Sequence, residues 1–247
     1  MEEFKSLYSQ FLRFKPPVTF MSEELLSTAD QIKDKALRRK VKDLLRYPPC
    51  NISVPALPLV VCPAGAYQHH SYRGGLVEHI MCVVRLSLEF SDIIEDTYRG
   101  EVNRDYVLAG ALLHDIMKVY CYEENTEGGF STSDFGGMID HLTLMVAELY
   151  KRDFPLEVIH IVASHHGDVG PTKPRTVEAL IVSVADLADS ELNNKLLRGA
   201  EYLLRKSGAK RPKLKSAYDA LRVVEAKRTE GWDGVHKLFE ELLEPED

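Results

Sequence analysis

Apolar residues recur with a helical period along most of this chain, and this pattern restricts the fold more than any other feature of the sequence. In residues 22–46 they fall at intervals of three and four and form one stripe along a helix. The same pattern recurs in residues 76–98, 104–117, 138–152, 156–166 and 176–205. No βαβ rhythm, internal repeat or long alternation of polar and apolar residues accompanies it. The sequence therefore predicts an all-α fold, with two shorter helices after Pro212.

Two segments lack this period and separate the helices. Residues 51–75 are rich in Pro and Gly and predict a long ordered loop, a kind of loop that is often functional. Residues 123–137 are polar and predict a loop that can contain a short hairpin. We expect an N-terminal helical arm at 1–50, a core at 51–195 and a C-terminal helical extension at 196–247.

Composition is that of an ordinary soluble protein, with 45% hydrophobic and 28% charged residues. No uninterrupted apolar run reaches the roughly 18 residues of a membrane-spanning helix, so no membrane association is expected. The first residues, MEEFKSLYSQFLRF, are acidic and amphipathic and do not resemble a secretory signal. The four cysteines are scattered and form no C-x-x-C pair, which argues against disulfides or a thiolate zinc site. We therefore expect a cytoplasmic protein.

Charge is uneven along the chain although the formal net charge is −7. Lysines and arginines crowd residues 33–46 and again residues 206–215, and the end of the chain is acidic. Such clusters are either solvated helix faces or a local surface that captures a polyanion, and the sequence leaves both interpretations open.

Histidines and aspartates mark a set of positions on successive helices. A buried imidazole or carboxylate needs a polar partner, so a recurring set of this kind indicates a shared site. Asp186 lies in ALIVSVADLAD, which is apolar nearly all round and is therefore predicted to be buried, and Asp189 one turn later can share its role. The candidate ligands are His79, His114, Asp115, His141, His165, His166 and Asp186.

Nitrogen and oxygen ligands without thiolate suit Mn, Fe, Co, Ni or Zn, and we expect Mn²⁺ first among them. The candidates outnumber the ligands of one tetrahedral ion. We therefore expect two divalent ions with Asp115 as the bridging carboxylate. Two ions about 3.5–4 Å apart can hold a hydroxide nucleophile and the oxygens of a phosphoryl group.

The order H…HD…H…HH…D resembles the signature of the HD superfamily of metal-dependent phosphohydrolases. The blocks CPAGAYQHHSYRGGLVEHI, LLHDIMK, DHL and SHHGDVGPTKPRTVEAL…DLAD are similar to the HD domain of YhaM-type 3′→5′ exoribonucleases, over roughly residues 60–190. This resemblance implies an HD-domain helical bundle with N- and C-terminal helical extensions. Residues 1–47 read as helical, where those nucleases carry an OB-type RNA-binding domain.

The resemblance also implies roles for single residues. One metal would be held by His79, His114, Asp115 and Asp186, and the other by Asp115, His141, His165 and His166. Asp115 and Lys118 would be the catalytic residues, with Lys118 on the substrate phosphate. His69, His70 and Arg73 would bind substrate from a loop near the site. Met117 stands where the family's H-D-I-G-K motif has glycine, and its bulk is expected to alter substrate access.

These observations favour a phosphodiesterase, namely a 3′-5′ exonuclease that acts on single-stranded RNA or DNA through a hydroxide activated by two metals. The alternative is a phosphohydrolase of a small nucleotide, a cyclic nucleotide or a cyclic dinucleotide, which the missing OB domain favours. A di-iron oxygenase and a non-catalytic nucleotide sensor are further alternatives. The helical arm and the C-terminal helices either cap the core or form a subunit interface. The sequence therefore leaves open whether the protein is a homo-oligomer.

Overall fold

The computed structural model describes residues 18–46, 48, 53–126, 128–209 and 214–243, and within them the fold is helical apart from one small hairpin. This confirms the all-α prediction. The helices are α1 (Val18–Ala29), α2 (Lys35–Arg46), α3 (Gly75–Asp92), α4 (Arg104–Leu113), α5 (Asp134–Met138), α6 (His141–Lys151), α7 (Leu156–Ser164), α8 (Val177–Lys206) and α9 (Ala217–Leu243). A π-helical turn, Ile93–Thr97, extends α3, and 3₁₀ turns lie at Ile116–Tyr120 and Gly167–Val169.

The polar segment at residues 123–137 contains the hairpin. Strands β1 (Tyr122–Glu124) and β2 (Phe130–Thr132) pair antiparallel, with Glu123 opposite Ser131. The short helix α5 follows directly, and the Ser133 hydroxyl at its start accepts a hydrogen bond from the Gly136 amide.

The N-terminal arm is two helices rather than the single helix that its apolar stripe predicts. The break lies between α1 and α2, where a carboxylate oxygen of Asp34 accepts hydrogen bonds from the amides of Ala36 and Leu37 and so starts a new helix. Asp105 of α4 accepts hydrogen bonds from the Lys33 and Asp34 amides in the same turn. These hydrogen bonds take the place of the backbone hydrogen bonds that a continuous helix would form. The periodicity of apolar residues does not reveal them.

Helices α3, α4, α7 and α8 form the centre of the core, because α4 packs against each of the other three. Residues 107–113 of α4 are all buried, and a helix that is apolar on every side suits this central position. The arm joins the same core through buried side chains of α1 and α2. Burying a leucine or isoleucine side chain contributes about 1.5–3 kcal/mol, so this shared core holds the arm against the central helices.

Helix α8 has 30 residues and is about 45 Å long, which carries it beyond the central core. Its second half packs against α9 in a separate apolar cluster that includes Leu197, Leu204 and Val235. Helix α9 is interrupted at Gly231, whose φ of 71° lies in the left-handed region, so two helical segments follow residue 216. The division of the chain at residues 50 and 195 stays a prediction.

Some predictions fall outside the described residues: those on residues 1–17, Cys50, residues 210–213 and the last four residues. Within the described part, Cys62, Cys82 and Cys121 are free thiols. No described helix has both the length and the apolar character required to cross a membrane.

Gly110 allows α4 and α7 to approach closely. A Cβ atom at this position would lie 2.3 Å from Cγ2 of Ile161, a β-branched side chain with little rotational freedom. We predict that Gly110→Ala destabilises the protein by about 1–3 kcal/mol, although alanine favours helices. Gly199→Ala in α8 is the matched control, because nothing lies within 4 Å of its added Cβ. The control should stabilise by about 0.5–1 kcal/mol, and denaturant unfolding of both variants measures the difference.

Candidate metal centre

The carboxylate of Asp115 lies at the centre of the site, directly after α4, and its side chain is 1% exposed. Its Oδ1 lies 3.1 Å from Nε2 of His141 and 3.6 Å from Nε2 of His165. Its Oδ2 lies 3.3 Å from Nε2 of His79 and 2.6 Å from the ammonium of Lys118. Burial alone would raise the pKa of Asp115, but Lys118 and the histidines hold that pKa well below its usual range.

A first ligand group forms on one side of this carboxylate. Nε2 of His79 lies 3.1 Å from Oδ1 of Asp186 and 3.2 Å from Nε2 of His114, and the ligand atoms of all three residues lie within 4.8 Å of one another. Burial opposes a charge on His79, yet Asp115, Asp186 and Asp189 raise its pKa well above the usual value. The carboxylates therefore favour positive charge at this point, which a proton or a divalent ion can supply.

A second ligand group lies on the other side and comes from α6 and α7. His141 is the first residue of α6, where Asp140 accepts a hydrogen bond from the Thr143 amide and fixes the start of the helix. His165 and His166 follow the last residue of α7, and their ligand atoms lie within 4.8 Å of that of His141. Because α6 and α7 pack against each other, the start of one helix meets the end of the other.

Backbone carbonyls orient two of the imidazoles. Nδ1 of His114 lies 2.8 Å from the carbonyl oxygen of Ala111, and Nδ1 of His165 lies 2.7 Å from that of Val162. Each Nδ1–H donates to its carbonyl, which leaves the Nε2 lone pair directed at the Asp115 carboxylate. Burial lowers the pKa of both rings, so both are neutral imidazoles able to bind a metal.

The residues fit divalent metal ions. Oδ1 of Asp115, Nε2 of His141 and Nε2 of His165 are buried and converge on one another, yet none of them has a hydrogen-bond partner. Buried polar atoms are normally paired, and Oδ1 of Asp115 and Nε2 of His165 are both acceptors, which cannot pair with each other. A cation between them would satisfy all three atoms, and nitrogen with oxygen is a suitable donor set for first-row divalent metals.

A second carboxylate, Asp189, supports His79 from behind. Its Oδ2 accepts a hydrogen bond from Nδ1 of His79 at 2.7 Å and another from Nε2 of His70 at 2.9 Å. Burial opposes ionisation, but these imidazoles hold the pKa of Asp189 below its usual value. A carboxylate on the outer nitrogen of a ligating histidine fixes the ring orientation and makes the inner nitrogen a better ligand.

The polar network continues beyond His70. The His70 amide donates to Oδ1 of Asn193 at 2.6 Å, and the Tyr72 hydroxyl donates to Glu78 at 3.0 Å. Sequence reasoning missed Tyr72 and Asn193. Asp186, Asp189 and Asn193 follow one another at helical spacing on α8, and that spacing is the signal that was available.

An open cavity of about 810 Å³ lies over the two ligand groups. Lys118 and His69, both predicted to bind substrate, line it. Nε2 of His69 is buried without a hydrogen-bond partner, and burial lowers the pKa of this ring to about 3, so the ring is neutral. Lys118 keeps its charge, because Asp115 raises its pKa although burial opposes this.

Other predicted positions lie elsewhere. His70 is buried behind Asp189, and Arg73 forms an exposed ion pair with Glu124, so the structure brings neither of these predicted substrate-binding residues to the cavity. Met117 is buried in the hydrophobic core and not in the cavity wall, which contradicts its expected effect on substrate access. His160 accepts a hydrogen bond from the Arg175 amide, away from the ligand groups.

The prediction that the Asp186 helix is buried all round is wrong for one of its faces. Leu180, Val184 and Leu187 of α8 are 54%, 44% and 67% exposed, and all three line the cavity. Apolar composition indicated burial here, whereas the structure places these residues on the wall of an open site.

Comparison with known proteins gives a family and two kinds of relative. The HD-domain family model matches residues 76–190. The chain is 46% identical over 212 residues to the dihydroneopterin 2′,3′-cyclic phosphate phosphodiesterase of Methanocaldococcus jannaschii, a match that covers 85% of this chain and 85% of that protein.

The second kind of relative is the 3′-5′ exoribonuclease YhaM. The chain is 31% identical over 148 residues to the protein of Oceanobacillus iheyensis, covering 55% of this chain and 44% of that one. It is 30% identical over 144 residues to the protein of Bacillus subtilis, covering 53% of this chain and 43% of that one. The chain thus spans less than half the length of these nucleases. No solved structure matches it at a significant level.

The two ligand groups should be separable by substitution. We predict that His141→Ala lowers the content of divalent metal from about two ions to about one per chain, because only the second group loses a ligand. Asp115→Ala should lower it further, because both groups face that carboxylate. Metal analysis of Mn²⁺-loaded protein measures the content. His236→Ala, an exposed histidine of α9, is the control and should leave it unchanged.

Asp189→Asn tests the support behind His79. The amide keeps the shape of the side chain but removes the charge that fixes the ring, so we predict a 10- to 100-fold weaker affinity for metal, roughly. Competition with a chelator measures this affinity. The affinity of the group formed by His141, His165 and His166 should not change, and an equal loss at both groups would contradict the assignment.

Proposed function

This chain belongs to the HD-domain family of metal-dependent phosphohydrolases, and on that premise we propose that it hydrolyses the cyclic phosphodiester of a small nucleotide-like molecule. Dihydroneopterin 2′,3′-cyclic phosphate is the first substrate to test. The observation that carries the proposal is the 46% identity to a cyclic phosphate phosphodiesterase along 85% of both chains. The exoribonucleases share the HD region at lower identity and are more than twice as long as the shared part.

We propose that His79, His114, Asp115 and Asp186 hold one divalent ion and that Asp115, His141, His165 and His166 hold the second. Bound there, such ions lower the pKa of water and offset the charge of the phosphate. In the reaction, a water oxygen forms a bond to phosphorus and one ring P–O bond breaks. The departing oxygen takes up a proton, and the product is a phosphomonoester.

Lys118 is suited to hold a phosphate oxygen during this step. Its ammonium lies 2.6 Å from Oδ2 of Asp115, is almost fully buried and lines the cavity. A fixed positive charge in a site with little water stabilises negative charge more strongly than it would in bulk solvent. Asp115 in turn keeps the ammonium protonated and in place.

The basic arm is poorly placed to guide a nucleic acid strand to this centre. Asp105 in the first turn of α4 binds the arm at Asp34, whereas Asp115 is the second residue after the end of the same helix. A helix of 10 residues is about 15 Å long, so this contact lies well away from the ligand groups. Lys42 of the arm is paired with Asp30. A small substrate needs no such guide.

The test compares three substrates with Mn²⁺- or Fe²⁺-loaded protein: dihydroneopterin 2′,3′-cyclic phosphate, adenosine 2′,3′-cyclic phosphate and a 5′-labelled single-stranded RNA. We predict that a cyclic phosphate is opened to a monoester while the RNA stays intact. Asp115→Asn should lower the rate by roughly 10³-fold or more, because it removes the shared carboxylate charge.

His236→Ala is the control for general effects of substitution and should keep the full rate. Metal-dependent shortening of the RNA from its 3′ end, without opening of either cyclic phosphate, would replace this proposal with the exonuclease function.

A further inference from the structure

Helix α8 presents two adjacent rows of side chains to the cavity, and the two rows differ in chemistry. With 3.6 residues per turn, Ser183, Asp186 and Ser190 fall on one face of the helix, and a second row lies next to it. The first row carries the candidate metal ligand Asp186. The second row consists of Leu180, Val184 and Leu187. One helix thus joins a polar, metal-side surface to an apolar surface within a single cavity.

The apolar row is open to solvent in the described structure, although it consists of large aliphatic side chains. The exposed fraction of these three residues lies between 44% and 67%. Tyr67, 72% exposed, lines the same cavity from the loop before α3. Small-molecule sites combine apolar walls with a few converging polar groups, and their volumes lie in the range of about 300–1,000 Å³. This cavity has that composition and that size.

The charges in the cavity suit a ligand with a single phosphate better than a long polyanion. Among the described lining residues the lysines and arginines are Lys118 and Lys173 alone. Lys118 is bound to Asp115, and Lys173 contacts Asp168. A nucleic acid strand is held by a succession of cations along its phosphates. The fitting ligand has one phosphate end and one uncharged end with a flat face that can cover the aliphatic side chains.

We propose that Leu180, Val184 and Leu187 form the binding wall for a planar, uncharged heterocycle of the substrate, which Tyr67 contacts from the opposite loop. This inference rests on the proposed function, because the phosphate of the same molecule occupies the metal side. The wall makes the protein selective for cyclic phosphates that carry a ring system over those that carry none.

The experiment uses metal-loaded protein and two substrates that differ only in the ring: dihydroneopterin 2′,3′-cyclic phosphate and glycerol 1,2-cyclic phosphate. Leu187→Ser is the test variant, because it removes apolar surface without adding charge near the phosphate. Leu192→Ser is its matched control: Leu192 is 69% exposed on the same helix but lies outside the cavity lining.

We expect Leu187→Ser to raise KM for the ring-bearing substrate by roughly 10-fold and to leave kcat nearly unchanged. Turnover of glycerol 1,2-cyclic phosphate should not change in this variant. Leu192→Ser should behave as wild type with both substrates. Equal effects of Leu187→Ser on the two substrates, or no effect on either, would overturn the proposal.

Two further measurements distinguish ring binding by this wall from failure of the proposed function and from a subunit interface. If the wild-type protein opens neither cyclic phosphate, the proposed function fails. Fluorescence titration with free neopterin then tests whether Leu180, Val184 and Leu187 bind the ring. Binding that weakens in Leu187→Ser but not in Leu192→Ser supports the wall, whereas no binding overturns it. A change of solution mass in Leu187→Ser alone would identify the row as a subunit interface and would also overturn it.

Discussion

The carboxylate of Asp115 is the group around which the rest of the structure is arranged. It is fully buried, and an ionised carboxylate in an apolar interior is strongly unfavourable unless charges and donors surround it. Those partners come from α3, α6, α7 and the 3₁₀ turn after α4. Each of these elements therefore has to bring one side chain to the carboxylate of Asp115. Asp115 follows the last turn of α4, so the packing of α4 in the centre of the core determines where this carboxylate lies.

Helix α8 performs several tasks because it is long and lies beside this point. Asp186 faces the first ligand group, Asp189 fixes His79 from behind, and Asn193 binds the loop that carries His70. A rotation of α8 would disturb all three contacts together. The same helix supplies the apolar side of the cavity. The distance between the metal ligands and the surface proposed to bind the ring is therefore fixed. Rigid placement of this kind is what orients a small substrate for attack.

The sequence predicted most helices and indicated the candidate ligands that the structure brings close together, for identifiable reasons. Apolar periodicity reports burial on one side of a helix, and histidines next to aspartates at helix ends are costly unless they share a site. It did not predict the break between α1 and α2, because the carboxylate of Asp105 that stabilises this turn lies 71 residues further along the chain. It also grouped His70 with His69, although neighbouring rings in a loop point to different places. Only tertiary contacts show that the His69 ring lies in the cavity and that the His70 ring lies behind Asp189.

The choice between a nuclease and a small-molecule phosphodiesterase depends on the surroundings of the ligand groups rather than on the groups themselves. HD-domain relatives of both kinds match the segment that contains them, so this segment alone does not distinguish the substrates. The charge and polarity next to the metal side of this chain bear on the choice. Here the described cavity wall offers two lysines, both in contact with carboxylates, and a row of exposed aliphatic side chains. A row of cations would hold repeated phosphates, whereas an apolar wall gains free energy only from a ligand that covers it. The α8 wall therefore argues for a substrate with a single phosphate and an uncharged planar ring whose flat face covers it.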